Sequence, residues 1–154
     1  MKLNVDGSFQ ASDGQGGIGA VLRNAEGEVI FAASGFVDRY GSALEAELLS
    51  CRDGLSLALQ WTLLPIVVET DNLMAKQLVQ SDSMVRSDMV FLVREVRDLL
   101  MGSREVKLCK IHRNQNHLSH LLANLGRSNS LTKFRPDNSC NFISHVARKE
   151  AVAE

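Results

Sequence analysis

The order of patterns along this chain predicts an α/β domain. Three apolar runs with strand character, joined by turn signals, come first and read as an antiparallel meander. Helical and strand-like segments then alternate, which supplies the crossovers that parallel strand pairs require. Size is the third observation: 154 residues, 45% of them hydrophobic, are enough to bury one sizeable core and too few to favour two.

The first run, Met1–Phe9, alternates Leu3 and Val5 with Asn4 and Asp6, so Asp6 ends the strand on the face opposite the aliphatic residues. Gly7 and Ser8 follow, a sequence that lets the backbone kink or admits a close neighbour. Taken alone, Asp6 is simply an aspartate ending a strand. Asp13-Gly14-Gln15-Gly16-Gly17 signals a turn, and Ile18–Leu22 and Val29–Ala33 read as the second and third strands across the polar link Arg23–Glu28. The glycines do not form a phosphate-binding loop, because the lysine and hydroxyl that complete one are missing and a strand follows.

Ser42-Ala43-Leu44-Glu45 has the form of a capping box, and Leu44, Leu48, Leu55 and Leu59 continue it as a helical apolar stripe. Within that helix Glu47 neighbours Ala43, Ser50, Cys51 and Gly54, a small-residue face that allows close packing on a sheet. A glutamate there is costly unless it is paired, binds a cation or reaches water beside the stripe. Pro65 closes the segment, and Ile66–Thr70 is a strand whose adjacent Val67 and Val68 suit burial on both faces. Asp71 falls at its carboxyl end, where open α/β sheets place their sites. Leu73–Val79 predicts a short helix, Gln80–Ser83 a polar break, Phe91–Leu100 a longer helix stopped by Gly102, and Val106–Ile111 a fifth strand. The last helix, around His117–Gly126, has Leu118, Leu121, Leu122 and Leu125 as its buried stripe, Asn116 as N-cap and Gly126 as stop. His117, His120 and Asn124 lie on another face. Residues 128–154 read as a polar tail with a short apolar turn at Phe142, Ile143 and Val146.

The net charge of −1 conceals a segregation. Residues 1–75 carry 4 Lys/Arg against 10 Asp/Glu, and residues 76–154 carry 13 against 8, so the halves stand at −6 and +5. An acidic part able to hold divalent cations beside a basic part able to hold phosphates suits a nucleic-acid enzyme, and equally suits a solvated surface. Cys51, Cys109 and Cys140 are odd in number and lack CxxC spacing, which argues against a disulfide framework or a zinc site. No apolar run approaches membrane-spanning length and no secretory signal pattern opens the chain, so the expected protein is intracellular, in cytoplasm or nucleus, with no membrane association.

Taken as an ordered set, Asp6 in NVDGS, Glu47 in the small-faced helix, Asp71 in VETDN and the closing HRNQNHLSHLLANLGR segment resemble the ribonuclease H-like family, most closely its plant, retroelement-derived branch. The resemblance covers residues 1–127. It implies a five-stranded mixed sheet, three antiparallel strands followed by two parallel ones, with helices on both faces. It also implies metal-dependent endonucleolytic hydrolysis of the RNA strand of RNA–DNA hybrids by a monomer. Asp6, Glu47 and Asp71 would be the catalytic metal ligands for Mg²⁺, or Mn²⁺, as two ions roughly 4 Å apart. Asn116 and Arg113 would lie on the substrate side, with Arg127 a further phosphate contact, and the RNA would be read through its 2′-hydroxyls.

The chain departs from the family where a fourth carboxylate is expected, four residues after Asn116, and carries His120. Imidazole is a poor Mg²⁺ ligand, so His120 changes the metal preference, positions a water, marks an impaired site or is a plain surface histidine. His112 lies where the family can carry a histidine assisting product release, without a clear match in spacing. The Gln80–Asp88 junction is mixed in charge, unlike the basic protrusion of some bacterial members. The alternative function is therefore a retroelement-derived domain with lost or weak catalysis that binds nucleic acid or protein.

Overall fold

A computed structural model describes residues 1–81, 88–136 and Ile143. Strands β1 (Lys2–Phe9), β2 (Gly16–Arg23) and β3 (Val29–Val37) form the expected meander, followed by α1 (Ala43–Trp61), β4 (Ile66–Thr70), α2 (Leu73–Gln80), α3 (Val90–Leu100) and β5 (Val106–Lys110). A 3-10 turn at Arg113–Gln115 leads into α4 (His117–Asn129), and β6 (Lys133–Pro136) comes last.

The sheet has the order β5-β4-β1-β2-β3-β6. Strand β1 runs antiparallel to β2 and parallel to β4, which is parallel to β5. The five-strand expectation holds for β1 to β5, and β6 adds a sixth, antiparallel to β3. Its sequence, Lys-Phe-Arg-Pro, lacks an apolar alternation, but an edge strand tolerates proline. Phe134 anchors it, with its ring 5.5 Å from Phe31 and 5.2 Å from Trp61 of α1. The sheet thus extends past residue 127, into the stretch expected to be a polar tail.

Helix α1 packs with α2 and α3 on one face, over a core that includes Leu3, Val5, Phe31, Leu48, Leu55, Val68 and Val96. Ser42 caps α1 by accepting from the Glu45 N–H at 3.1 Å, while the Glu45 carboxylate accepts from Gly41 N–H at 2.5 Å. On the other face α4 joins Val21, Val29, Ala32, Leu118, Leu122 and Ile143 in a second cluster. Phe142, Val146, Cys140 and most of the Gln80–Asp88 junction lie outside the described residues. Cys51 is a buried free thiol that desolvation pushes up to about 12. Among the described residues no helix is long and apolar enough to cross a membrane.

The α4 stripe differs from expectation. Its buried residues are Leu118, Ser119, Leu122, Ala123 and Gly126, and Leu121 and Leu125 are only half-buried. The surface beneath it explains this: a Cβ on Gly19 would lie 2.0 Å from the Ser119 carbonyl oxygen, and one on Gly17 2.0 Å from that of Ala123. Only a glycine strand against small helix residues allows the two backbones to come so near.

Candidate active site

The carboxylates meet where β1 and β4 part. The ladder pairs Lys2 with Val67, Leu3 with Val68 and Asn4 with Glu69, and there it stops. Carrying that offset two residues further sets Asp71 level with Asp6, just beyond the last paired residues. Helix α1 brings in Glu47, because β1 offers it Gly7: a Cβ there would stand 2.4 Å from the Ala46 carbonyl carbon and 2.6 Å from the Glu47 nitrogen. One carboxylate oxygen from each of Asp6, Glu47 and Asp71 lies within 4.8 Å of the others.

Two of these acids are deeply buried. Asp6 is 3% and Glu47 8% exposed. Burial, reinforced by Asp6 and Asp71, pushes the Glu47 carboxyl up to about 9, against the hydrogen bonds it receives from Gly7 N–H and the Asn72 side chain. Burial also raises Asp6, to about 6; Asp71 adds to this, and His120 and Arg113 oppose it. Glu47 Oε2 is buried and has no hydrogen-bond partner among the described residues. Clustered hard oxygen donors, one of them unsatisfied, fit a divalent cation of the Mg²⁺ type.

His120 faces the cluster, its Nδ1 2.8 Å from Asp6 Oδ2. Its Nε2 is 3.0 Å from Asn124 Nδ2, and Ser8 Oγ donates to Asn124 Oδ1 at 2.7 Å. Arg127 Nε donates to Ser8 Oγ at 2.9 Å, and the same guanidinium bonds Gln10. Arg113 is exposed and near enough to favour the ionised form of Asp6. Together with His112, Asn114, His117 and His120 it lines an open depression beside the acids.

Asn116 ties the start of α4 to β1. It is 1% exposed; its amide donates to the Val5 carbonyl at 2.9 Å and its Oδ1 accepts from Ser119 Oγ at 2.6 Å. It occupies the cap position of α4 without a side-chain cap bond, and instead ties the helix start to β1 one residue before Asp6. Asn72, not singled out in the sequence, is the N-cap of α2 by accepting from Ala75 N–H at 2.9 Å, and its side chain also bonds Glu47. The serine and asparagine that join Arg127 to His120 were likewise hidden, since Ser8 and Asn124 are 116 residues apart.

Sheet order, helices on both faces, and two acids at strand ends joined by a third from α1 define an RNase H-like domain. Residues 4–126 match the model of the reverse transcriptase-like family, and the chain belongs to that family. Solved structures agree in fold. LC11-RNase H1, isolated from compost by a metagenomic approach, aligns with a TM-score of 0.76 at 16% identity over 84% of this chain and 96% of its own. RNase H1 from the halophilic archaeon Halobacterium salinarum gives 0.75 at 21% identity over 83% and 97%. The N-terminal RNase H domain of a Mycobacterium tuberculosis protein gives 0.75 at 20% identity over 84% and 94%. A comparison with curated protein sequences finds no match.

Proposed function

We propose that this chain is a metal-dependent endonuclease that hydrolyses the RNA strand of RNA–DNA hybrids. The observation that carries the reading is the convergence of Asp6, Glu47 and Asp71, with an unsatisfied buried oxygen on Glu47. These three residues would hold Mg²⁺, or Mn²⁺, as one ion or two; when bound, the metal supplies activation of water and stabilisation of the leaving oxygen. The chain's own contribution is to fix the acids. Gly7 N–H and Asn72 orient Glu47, and His120 orients Asp6.

Arg113 adds positive charge beside the acids, which suits a backbone phosphate of the substrate. LC11-RNase H1, of like fold, is also known in complex with an RNA/DNA hybrid, which supports the same class of partner here. Discrimination of RNA would rest on the 2′-hydroxyls in the shallow minor groove. We place the protein inside the cell, in cytoplasm or nucleus, as a monomer of plant retroelement descent.

His120 favours a second reading. An imidazole bonded to Asp6 stands where a fourth carboxylate is expected, so the domain would keep the fold and bind nucleic acid or protein with weak or lost catalysis. Titration of Mg²⁺ and Mn²⁺ with an end-labelled hybrid separates the two, with Asp6→Asn as control. Metal-dependent cutting of the RNA strand that the control abolishes supports the nuclease. A folded protein that cuts with neither ion supports the second reading.

A further inference from the structure

The four side chains behind Asp6 form a chain of hydrogen bonds with one direction. Arg127 Nε has a proton and no lone pair to offer, so Ser8 Oγ accepts from it at 2.9 Å. The Ser8 hydroxyl then spends its proton on Asn124 Oδ1, 2.7 Å away. That contact turns the amide nitrogen of Asn124 toward His120 Nε2 at 3.0 Å. An amide nitrogen can only donate, so Nε2 accepts, and the ring proton sits on Nδ1, 2.8 Å from Asp6 Oδ2.

We infer that His120 is a positioning residue that donates to Asp6, its tautomer set by Arg127, Ser8 and Asn124, and that it does not ligate the cation. Metal binding and proton abstraction both need an in-plane lone pair on the ring. The lone pair of Nε2 is engaged by Asn124, and Nδ1 carries its proton. What remains for His120 is to fix one oxygen of Asp6, leaving the other to the acid cluster. The consequence for turnover rests on the nuclease reading; the tautomer does not.

The direct test is a long-range proton–nitrogen NMR correlation on the full chain labelled at histidine nitrogen, in EDTA and again with saturating Mg²⁺. The expected spectrum shows His120 Nδ1 as pyrrole-like and Nε2 as pyridine-like, a tautomer that Mg²⁺ leaves in place. Asn124→Asp, whose carboxylate only accepts, should add a proton at Nε2 and make both ring nitrogens pyrrole-like. A protonated Nε2 in the unsubstituted protein would mean that Asn124 presents its carbonyl, and would overturn the inference. So would loss of the Nδ1 proton on adding Mg²⁺, which ligation by that nitrogen requires.

Turnover supplies an independent arm. His120→Ala should lower kcat about 10- to 100-fold with KM for the hybrid unchanged, the effect of losing one hydrogen bond to a charged group. His120→Asn, whose side-chain nitrogen can occupy the place of Nδ1, should recover activity to within about 10-fold of the original. Equal loss in both variants argues against positioning. A chain that cuts no hybrid would defeat the nuclease reading and leave the spectrum to decide the role of His120.

Discussion

Glu47→Gln should stabilise the metal-free protein, and by an amount that depends on pH. The folded state holds this carboxyl at about 9 against 4.5 in an open chain, chiefly through burial and then through Asp6 and Asp71. Between those values the folded chain binds the proton more tightly than the unfolded one, so stability falls as pH rises. The penalty is absent below about pH 4.5 and grows by about 1.4 kcal/mol per pH unit, reaching about 3 kcal/mol at pH 7. Glutamine keeps a carbonyl for the Gly7 N–H and cannot ionise, which removes the penalty. For a chain of this length that is a rise in Tm of about 6–12 °C at pH 7 and almost none at pH 4.5. Urea unfolding in EDTA, followed by the fluorescence of the single tryptophan, Trp61, at pH 4.5, 6 and 7.5, measures it. A pH-independent difference, or a variant less stable at pH 7, would refute the reasoning. Excess Mg²⁺ should invert the order, because the ligand stabilises the form that binds it.

Other perturbations follow from the same geometry. Asp71→Asn should remove Mg²⁺-dependent thermal stabilisation while the metal-free melt rises or stays, as repulsion within the cluster is relieved; a collapse of the fold instead would make Asp71 structural. His120→Asp replaces a donated hydrogen bond with a fourth anion, so the metal-free form should lose about 1–3 kcal/mol while Mg²⁺ raises its Tm more than that of the unsubstituted chain. An unchanged Mg²⁺ response would put position 120 outside the reach of the cation. Gly7→Ala forces a methyl into the Ala46–Glu47 backbone and should cost about 1–3 kcal/mol in urea unfolding, with weakened Mg²⁺ binding because Glu47 is carried away from Asp6. Full stability with weakened Mg²⁺ binding would show that α1 shifts freely.

Asp6, Glu47 and Asp71 were legible in the sequence because each interrupts a periodicity. Asp6 and Asp71 end apolar strands, and Glu47 lies among small residues on a helix that must approach a sheet. Strands β1 and β4 and helices α1 to α3 were legible for the same reason, since apolar spacing reports which face is buried. Strand β6 was not, because what holds it is one phenylalanine against Phe31 and Trp61, and a single residue has no period. The docking face of α4 was hidden by a different cause. Gly17 read as the end of a turn and Gly19 as an ordinary strand residue, whereas both seat a helix whose inward side is Ser119, Ala123 and Gly126. Leucine spacing then gives only part of the face: Leu118 and Leu122 are buried, but Leu121 and Leu125 are half-buried, because the closest approach is made by residues with little to bury.

That docking also gives Asn116 a second task. An asparagine before a helix reads as a cap, but here its amide holds the Val5 carbonyl, so α4 is referenced to the strand that carries Asp6. Helix α1 is referenced to the same strand through Gly7, and β4 through the ladder that ends at Asn4. Three elements thus take their positions from β1, and each delivers one side chain to its carboxyl end: Glu47, Asp71 and His120. The convergence gains the fold nothing. Glu47 has an oxygen unsatisfied among the described residues and is raised toward neutrality by burial and then by Asp6 and Asp71, where an apolar side chain would stabilise the contact. A set of residues that the scaffold positions so closely, and that weakens the scaffold without a ligand, is best understood as a binding site for one.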